Sequence, residues 1–344
     1  MTPDRPARPR AVVTDYDFPT LEPERRVLEA AGIELVPTQS RSESELIENC
    51  RTADALLVEY AHLTRPVVAA LERCRVIVRY GVGYDNLDVA AATEHGIWAC
   101  NVPDYSIDEV SDHALALLLA LARKVVTLNH AVHAGRWDVA LGKPIFRLQE
   151  QTVGVVGFGR IGATFGHKVA ALGCRVLAHD PLLSPEQIAE RGAQAVDLEA
   201  LLRESDFVSV HAPLTAETRH LIGESTLRRM KPTAYLINTA RGPLVDTYAL
   251  AEALQAGLIA GAALDVLEQE PIPPDHPLIG LANCLLTPHA AYYSEQSFVD
   301  LKTLAAQEVV RVLQGGEPKN PLNPEVGRRG AERAERLRRH HGGP

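Results

Sequence analysis

The 344-residue sequence predicts an α/β protein with two parallel-sheet domains, and three observations carry that prediction. Short runs rich in Val, Ile, Leu and Ala alternate with helix-like segments from residue 10 to residue 103. A long helical stretch, residues 107–134, interrupts the rhythm, and a second alternating series starts at Thr152. Alternation of this kind implies parallel strands joined by crossover helices, because each strand must begin again at the same edge of the sheet.

In the first series the strands are expected at residues 11–14 (AVVT), 33–36 (IELV), 55–58 (ALLV), 76–79 (VIVR) and 97–100 (IWAC). Helical patterns lie between them at 22–31, 43–50, 66–73 and 89–95. The second series reads VGVV at 153–156, RVLA at 175–178, FVSV at 207–210, AYLI at 234–237, AAL at 262–264 and CLL at 284–286. One more helix, residues 295–313, ends at Gly315-Gly316, where glycine stops helical propagation.

The first series holds only about a hundred residues, so the last helix is expected to return and complete its domain. This gives a discontinuous domain, 1–104 with 292–324, interrupted by an inserted domain at 105–291. Residues 325–344 read as a disordered basic tail, since the stretch from Arg328 to Arg339 has six arginines, two glutamates and little apolar content.

Composition narrows the function classes. The chain is 46% hydrophobic and 23% charged, with a formal net charge of -9. A nucleic-acid or anionic-membrane binder needs a cationic surface, so small molecules are the expected partners. The five cysteines, Cys50, Cys74, Cys100, Cys174 and Cys284, are scattered and form no CxxC pair, which argues against a disulfide framework or a metal site. The N-terminal MTPDRPARPR lacks an apolar signal region, and the apolar run 114–122 is too short to span a bilayer, so a cytoplasmic protein is expected.

The stretch VGVVGFGRIG, residues 153–162, sets Gly157, Gly159 and Gly162 in GxGxxG spacing after a strand and before a helix. Such a loop binds a dinucleotide for physical reasons. The first glycine allows the turn, the second lets the backbone approach a pyrophosphate, and the third permits close helix packing, while the helix N-terminus offers N–H groups to the anion. The next strand ends on Asp180, 18 residues past Gly162, where a carboxylate accepts hydrogen bonds from ribose hydroxyls and repels a 2'-phosphate. The expected cofactor is NAD.

Ligands of open parallel sheets bind at the carboxyl ends of the strands, and three charged groups are expected there. Arg241 follows a strand in INTARGPLVD, Glu270 follows one in GAALDVLEQEP, and His289 follows one in TPHAA. Singly, each has an ordinary structural explanation; jointly, they suit reduction of a 2-keto acid. Adding hydride leaves an alkoxide that needs a proton, which histidine, with an unperturbed pKa of ~6.5, supplies near neutrality. A neighbouring glutamate favours the imidazolium, and an arginine fork bridges a carboxylate and a carbonyl oxygen.

These motifs, with HAPLTAETRHLI, make residues 10–322 resemble the D-isomer-specific 2-hydroxyacid dehydrogenases. The resemblance implies a Rossmann NAD-binding domain inserted in a flavodoxin-like substrate domain. It implies Arg241 as the substrate-binding arginine, Glu270 as the partner of the acid/base His289, and Asp265 as a ligand of the nicotinamide carboxamide. Further cofactor contacts are implied at Arg160, Ile161, His211, Ala212, Pro213, Thr218, Thr239, Ala240 and His289 itself. RYGVGYDNLDV, residues 79–89, resembles the family's carboxylate-binding loop, which implicates Gly81, Val82 and Gly83, with Arg79 as an added ligand.

HAAYYSEQS, CNVP and Arg79 bring the chain nearest the C-terminal binding proteins, dehydrogenase-like corepressors, and their microbial relatives. Tyr292 then lines the substrate pocket at a position where animal members carry tryptophan. Two functions from different classes follow: a working reductase, and an NAD(H)-sensing interaction protein that kept its catalytic residues. A phosphoglycerate dehydrogenase-like enzyme is a further alternative, disfavoured here because the chain carries no regulatory C-terminal domain. The resemblance also implies a homodimer, with residues 107–134 and the arm through Trp137 at its interface.

Overall fold

The computed structural model describes residues 8–327 together with Gly330 and Arg333. The described residues divide into two compact units, one formed by those up to 105 with those from 294 on, the other by residues 106–293.

The first unit is built on β1 (Arg10–Val13), β2 (Glu34–Pro37), β3 (Ala55–Val58), β4 (Val76–Arg79) and β5 (Trp98–Cys100). All pair in parallel, in the order β2-β1-β3-β4-β5. Successive side chains of a strand leave on opposite faces, and each face here has its own core. Ala11, Val13, Leu57, Val76 and Val78 face one cluster, whereas Val12, Leu56, Val58 and Ile77 face the other. Both faces being buried explains why these strands are near-continuous apolar runs rather than alternating ones.

The helix Glu295–Leu313 returns to the first face, contributing Leu301, Ala305, Ala306, Val309 and Val312. Its start is set by a capping box in which Ser294 and Ser297 satisfy each other's backbone N–H groups.

The expected disordered tail is corrected at its described residues. Pro324–Val326 form a turn of 3-10 helix, and Val326 is buried. The Arg333 guanidinium donates to the carbonyls of Leu71, Cys74 and His95 at 2.8, 2.9 and 3.1 Å. Carbonyls just past a helix have no intrahelical donor, and an arginine fork suits them. The rest of the predicted tail lies outside the described residues.

The second unit holds β6 (Thr152–Val156), β7 (Arg175–His179), β8 (Gln194–Ala195), β9 (Phe207–Val210), β10 (Tyr235–Asn238), β11 (Gly261–Leu264) and β12 (Cys284–Leu286). They form a parallel sheet in the order β12-β11-β10-β9-β6-β7-β8. The order reverses between β6 and β9, the place where a doubly wound sheet opens a crevice for a ligand. β8 has no counterpart in the sequence reading, because two residues carry no periodic signal.

The expected long helix over 107–134 is two helices, Ile107–Ala122 and Val125–His133, bent by 59°. Lys124 breaks it by adopting a left-handed conformation, φ 56°. Its ammonium donates to the Tyr235 hydroxyl and lies 4.6 Å from that ring, which offsets the steric cost. Among the described residues no single helix is long and apolar enough to cross a membrane.

All five cysteines are free. Burial pushes the thiols of Cys50, Cys74 and Cys284 up to about 12, so they are not thiolates at neutral pH.

Candidate active site

The glycine loop lies at the carboxyl end of β6. Gly157 has φ 85°, and a Cβ there would lie 2.6 Å from the Ala212 nitrogen, so the loops after β6 and β9 pack backbone to backbone. Gly162 sits under the loop, where a Cβ would come within 2.1 Å of the Gly157 carbonyl oxygen. At Gly159 a Cβ would meet nothing within 4 Å, leaving open space at the N-terminus of helix Arg160–Ala171. Arg160 and Ile161 occupy its first two positions.

Asp180 is tied into the same loop. One carboxylate oxygen accepts from the Phe158 N–H at 2.8 Å and the other from the Leu182 N–H at 2.9 Å. A carboxylate has about four acceptor sites, so Asp180 keeps capacity for a diol.

Thr239, at the end of β10, is 7% exposed, and its buried hydroxyl oxygen has no hydrogen-bond partner. A buried polar atom without a partner calls for a ligand to satisfy it. The open face at Gly159, Asp180 at the end of β7 and the orphan Thr239 hydroxyl together fit a dinucleotide.

The side chains of two implied cofactor contacts are also engaged within the fold. The His211 ring bonds the Ser209 hydroxyl at 2.8 Å, and burial pushes it down to about 4, so it is a neutral support under the loop with no charge for a phosphate. Thr218 gives its one proton to the Pro213 carbonyl at 2.7 Å and accepts from the Thr215 N–H at 2.7 Å, which closes a turn and leaves the hydroxyl no donor for a cofactor. The Ala212 backbone lies against Gly157.

Arg241, Glu270 and His289 follow three adjacent strands. Asn238 of β10 is level with Leu264 of β11, which is level with Leu286 of β12. Their loops therefore start from one edge at one height. Asn238 shapes the first loop, donating to the Arg241 carbonyl at 2.8 Å and accepting from the Ala240 N–H at 3.0 Å. Gly242 lets that loop lie on the next, since a Cβ there would be 1.9 Å from the Leu267 carbonyl oxygen.

His289 Nδ1 donates to Glu270 Oε2 at 2.7 Å, and Glu270 Oε1 accepts from the Leu267 N–H at 2.8 Å. With Nδ1 occupied, the other ring nitrogen is the one that can exchange a proton with a substrate. Burial raises the Glu270 carboxyl, but the His289 hydrogen bond and charge, the Leu267 N–H and the Arg241 charge outweigh it, so its pKa lies below the ordinary value. The three predicted residues thus act on one another.

Asp265 fastens the His289 loop. Its side chain is fully buried. One oxygen takes the Thr287 hydroxyl at 2.5 Å and the Ala290 N–H at 2.9 Å, and the other takes the Ala291 N–H at 2.9 Å. Through these donors the carboxylate holds the His289 loop.

Asn238, Gly242 and Thr287 were not singled out from the sequence, although all lie within the quoted motifs. A second histidine–glutamate contact, His220 Nε2 to Glu268 Oε1 at 2.6 Å, also escaped it; Glu268 further binds the Thr247 N–H and hydroxyl, fastening the loop that bears Glu270.

Arg79, Gly81, Val82 and Gly83 belong to the other unit, at the carboxyl end of β4. Gly81 has φ 129°, and a Cβ there would be 1.8 Å from Arg79 Nη1, so the guanidinium lies across the loop. The Gly81 and Val82 carbonyls accept from the Val102 N–H at 3.0 Å and the Asn101 side chain at 2.6 Å. Tyr292 stands edge-on to the His289 ring at 6.2 Å. Among the described residues no group of three or more His, Cys, Asp or Glu is placed to hold a metal ion.

Residues 115–291 match the model of the D-isomer specific 2-hydroxyacid dehydrogenase NAD binding domain. A glyoxylate reductase of Korarchaeum cryptofilum is 44% identical over 295 residues, 83% of this chain and 87% of its own length. The chain belongs to the D-isomer-specific 2-hydroxyacid dehydrogenases.

The family's fold extends over both units. An NADPH-dependent glyoxylate/hydroxypyruvate reductase of Sinorhizobium meliloti, solved with NADP and malonate, has a TM-score of 0.81 at 31% identity over 93% of this chain and 98% of its own. A D-lactate dehydrogenase of Aquifex aeolicus, solved with NAD and lactic acid, has a TM-score of 0.79 at 29% identity over 89% of this chain and 96% of its own. The seven-stranded unit is the dehydrogenase's NAD-binding domain, and the protein is an oxidoreductase acting on CH–OH groups.

The lowered carboxyl of Glu270 has a pH consequence. A folded-state pKa below the unfolded one stabilises the fold above the ordinary carboxylate value of about 4.5, and that contribution is lost as pH falls through the lowered value. Glu270→Gln should therefore lower the Tm at neutral pH and flatten the loss of stability below about pH 4.5, so that variant and wild type converge toward pH 3, as followed by thermal unfolding from pH 3 to 7.

Proposed function

We propose that the protein is an NAD-dependent reductase of small 2-keto acids, with glyoxylate and hydroxypyruvate as its first candidates. The observation that carries this reading is the 2.7 Å contact of His289 with Glu270, on the loop next to that of Arg241. The glyoxylate reductase at 44% identity supports the substrate class.

In this reading Arg241 receives the substrate carboxylate and steadies the keto oxygen through its fork of donors. NADH supplies the hydride to the keto carbon. The free nitrogen of His289 gives a proton to the oxygen as it becomes a hydroxyl, and Glu270, bonded at Nδ1, orients the ring. Reversal uses the same groups with His289 as base. Gly81, Val82 and Gly83 are assigned to the substrate carboxylate, with Arg79 as an added cation and Tyr292 as a wall of the pocket. Thr239, Ala240, Arg160 and Ile161 are assigned to the cofactor together with the glycines.

Asp180 supports NAD rather than NADP, because its carboxylate stands at the end of β7 and would repel a 2'-phosphate. Within the family we place the chain beside the C-terminal binding protein branch, on HAAYYSEQS, CNVP and Arg79. A homodimer is the assembly proposed. Val125, Val132, Trp137, Val139 and Phe146 leave apolar side chains exposed on the second helix and the arm after it, Trp137 by 88%. Free cysteines throughout support a cytoplasmic setting.

With glyoxylate or hydroxypyruvate the protein should oxidise NADH, followed at 340 nm, and His289→Ala should lose roughly 10²- to 10⁴-fold in kcat with NADH affinity kept. Tight NADH binding without turnover on any 2-keto acid would instead support a sensor. Asp180→Ala should weaken NADH binding and narrow the preference over NADPH in fluorescence titrations; unchanged selectivity would remove its ribose role. Light scattering should give twice the chain mass, and a monomer would refute the dimer.

A further inference from the structure

We propose that His113 is a positioning residue for His289, acting through Thr287 and Asp265; the inference rests on the reductase reading above. His113 lies on helix Ile107–Ala122, in a stretch the reaction itself does not use. Its Nε2 is 3.0 Å from the Thr287 hydroxyl oxygen and 3.5 Å from Asp265 Oδ1.

The proton count fixes the direction of these bonds. Thr287 has one hydroxyl proton, and Asp265 Oδ1 receives it at 2.5 Å. The hydroxyl can then only accept from His113, so Nε2 bears a hydrogen. A hydroxyl that donates and accepts at once cannot rotate, and it holds Asp265 Oδ1 at a set place.

Asp265 passes that constraint on. Its carboxylate receives the Ala290 and Ala291 N–H groups, and its own carbonyl receives the His289 N–H at 2.8 Å. His289 needs it, because φ 54° is a left-handed backbone that a histidine does not hold unaided. His113 therefore touches neither substrate nor the proton being moved. It keeps the acid/base ring in register with Glu270.

The test compares His113→Leu, which deletes the donor, with His113→Gln, whose side-chain N–H₂ can still reach Thr287. Leu should lower kcat roughly 10- to 100-fold, as expected for a small misplacement of a reacting group, with KM for glyoxylate and NADH affinity within about twofold. Gln should restore most of the loss. Thr287→Val cuts the same path from its other side, so His113→Leu/Thr287→Val should be no worse than the worse single variant.

A readout free of turnover accompanies these. The downfield Nδ1 proton of His289, assigned by its disappearance in His289→Gln, should broaden or shift upfield in His113→Leu and return in His113→Gln. Wild-type kcat in the Leu variant, a Gln variant as impaired as Leu, additive losses in the double variant, or an unmoved Nδ1 resonance would each overturn the proposal. A wild-type protein inactive on every 2-keto acid would overturn the reductase reading instead, and the resonance would still decide whether His113 positions His289.

Discussion

The buried carboxylate of Asp265 is the constraint on which the arrangement of the loop bearing His289 depends. It leaves the end of β11 and receives three donors from the loop after β12, the Thr287 hydroxyl and the Ala290 and Ala291 N–H groups. Hydrogen bonds to a charged acceptor are worth about 1.5–3 kcal/mol each, whereas a residue held in left-handed backbone costs of order 1–3 kcal/mol. Three of the former exceed one of the latter. His289 is thereby kept at φ 54°, a conformation the chain would otherwise relax.

The parallel sheet supplies the common origin for this. Strands β10, β11 and β12 stand level at Asn238, Leu264 and Leu286, so their loops emerge together, and short loops then need few residues to meet. Gly242 and Leu267 show how close that meeting is, since no side chain fits between them. The same edge carries the glycine loop, and at Gly157 and Ala212 backbone meets backbone again. Glycine is required at such places because any Cβ would enter the neighbouring peptide.

Charge placement follows from this packing. Glu270 is set beside two cationic partners, and its carboxyl is held low in spite of burial. His211, buried without an acid, is held neutral. The two rings differ in their surroundings: His289 has the Glu270 carboxylate at 2.7 Å, whereas His211 has the Ser209 hydroxyl at 2.8 Å.

By itself the sequence determined the α/β class, eleven of the twelve strands among the described residues, the glycine loop with Asp180, and the placement of Arg241, Glu270 and His289 past strand ends. These were legible because they rest on local signals: apolar runs bounded by turns, fixed glycine spacing, and charged residues just past strand ends. What only the tertiary structure decided is which side chain does which task. The donors to Asp265, the partners of Thr218 and His211, and the contact of His113 with Thr287 are seen only in the fold. Partners brought together across the fold, such as His113 and Thr287, leave no periodicity to detect. The break at Lys124 was hidden for the same reason, because its partner Tyr235 lies on a strand more than a hundred residues later. Spacing along the chain reveals where chemistry is offered, and close packing in space settles how each group is used.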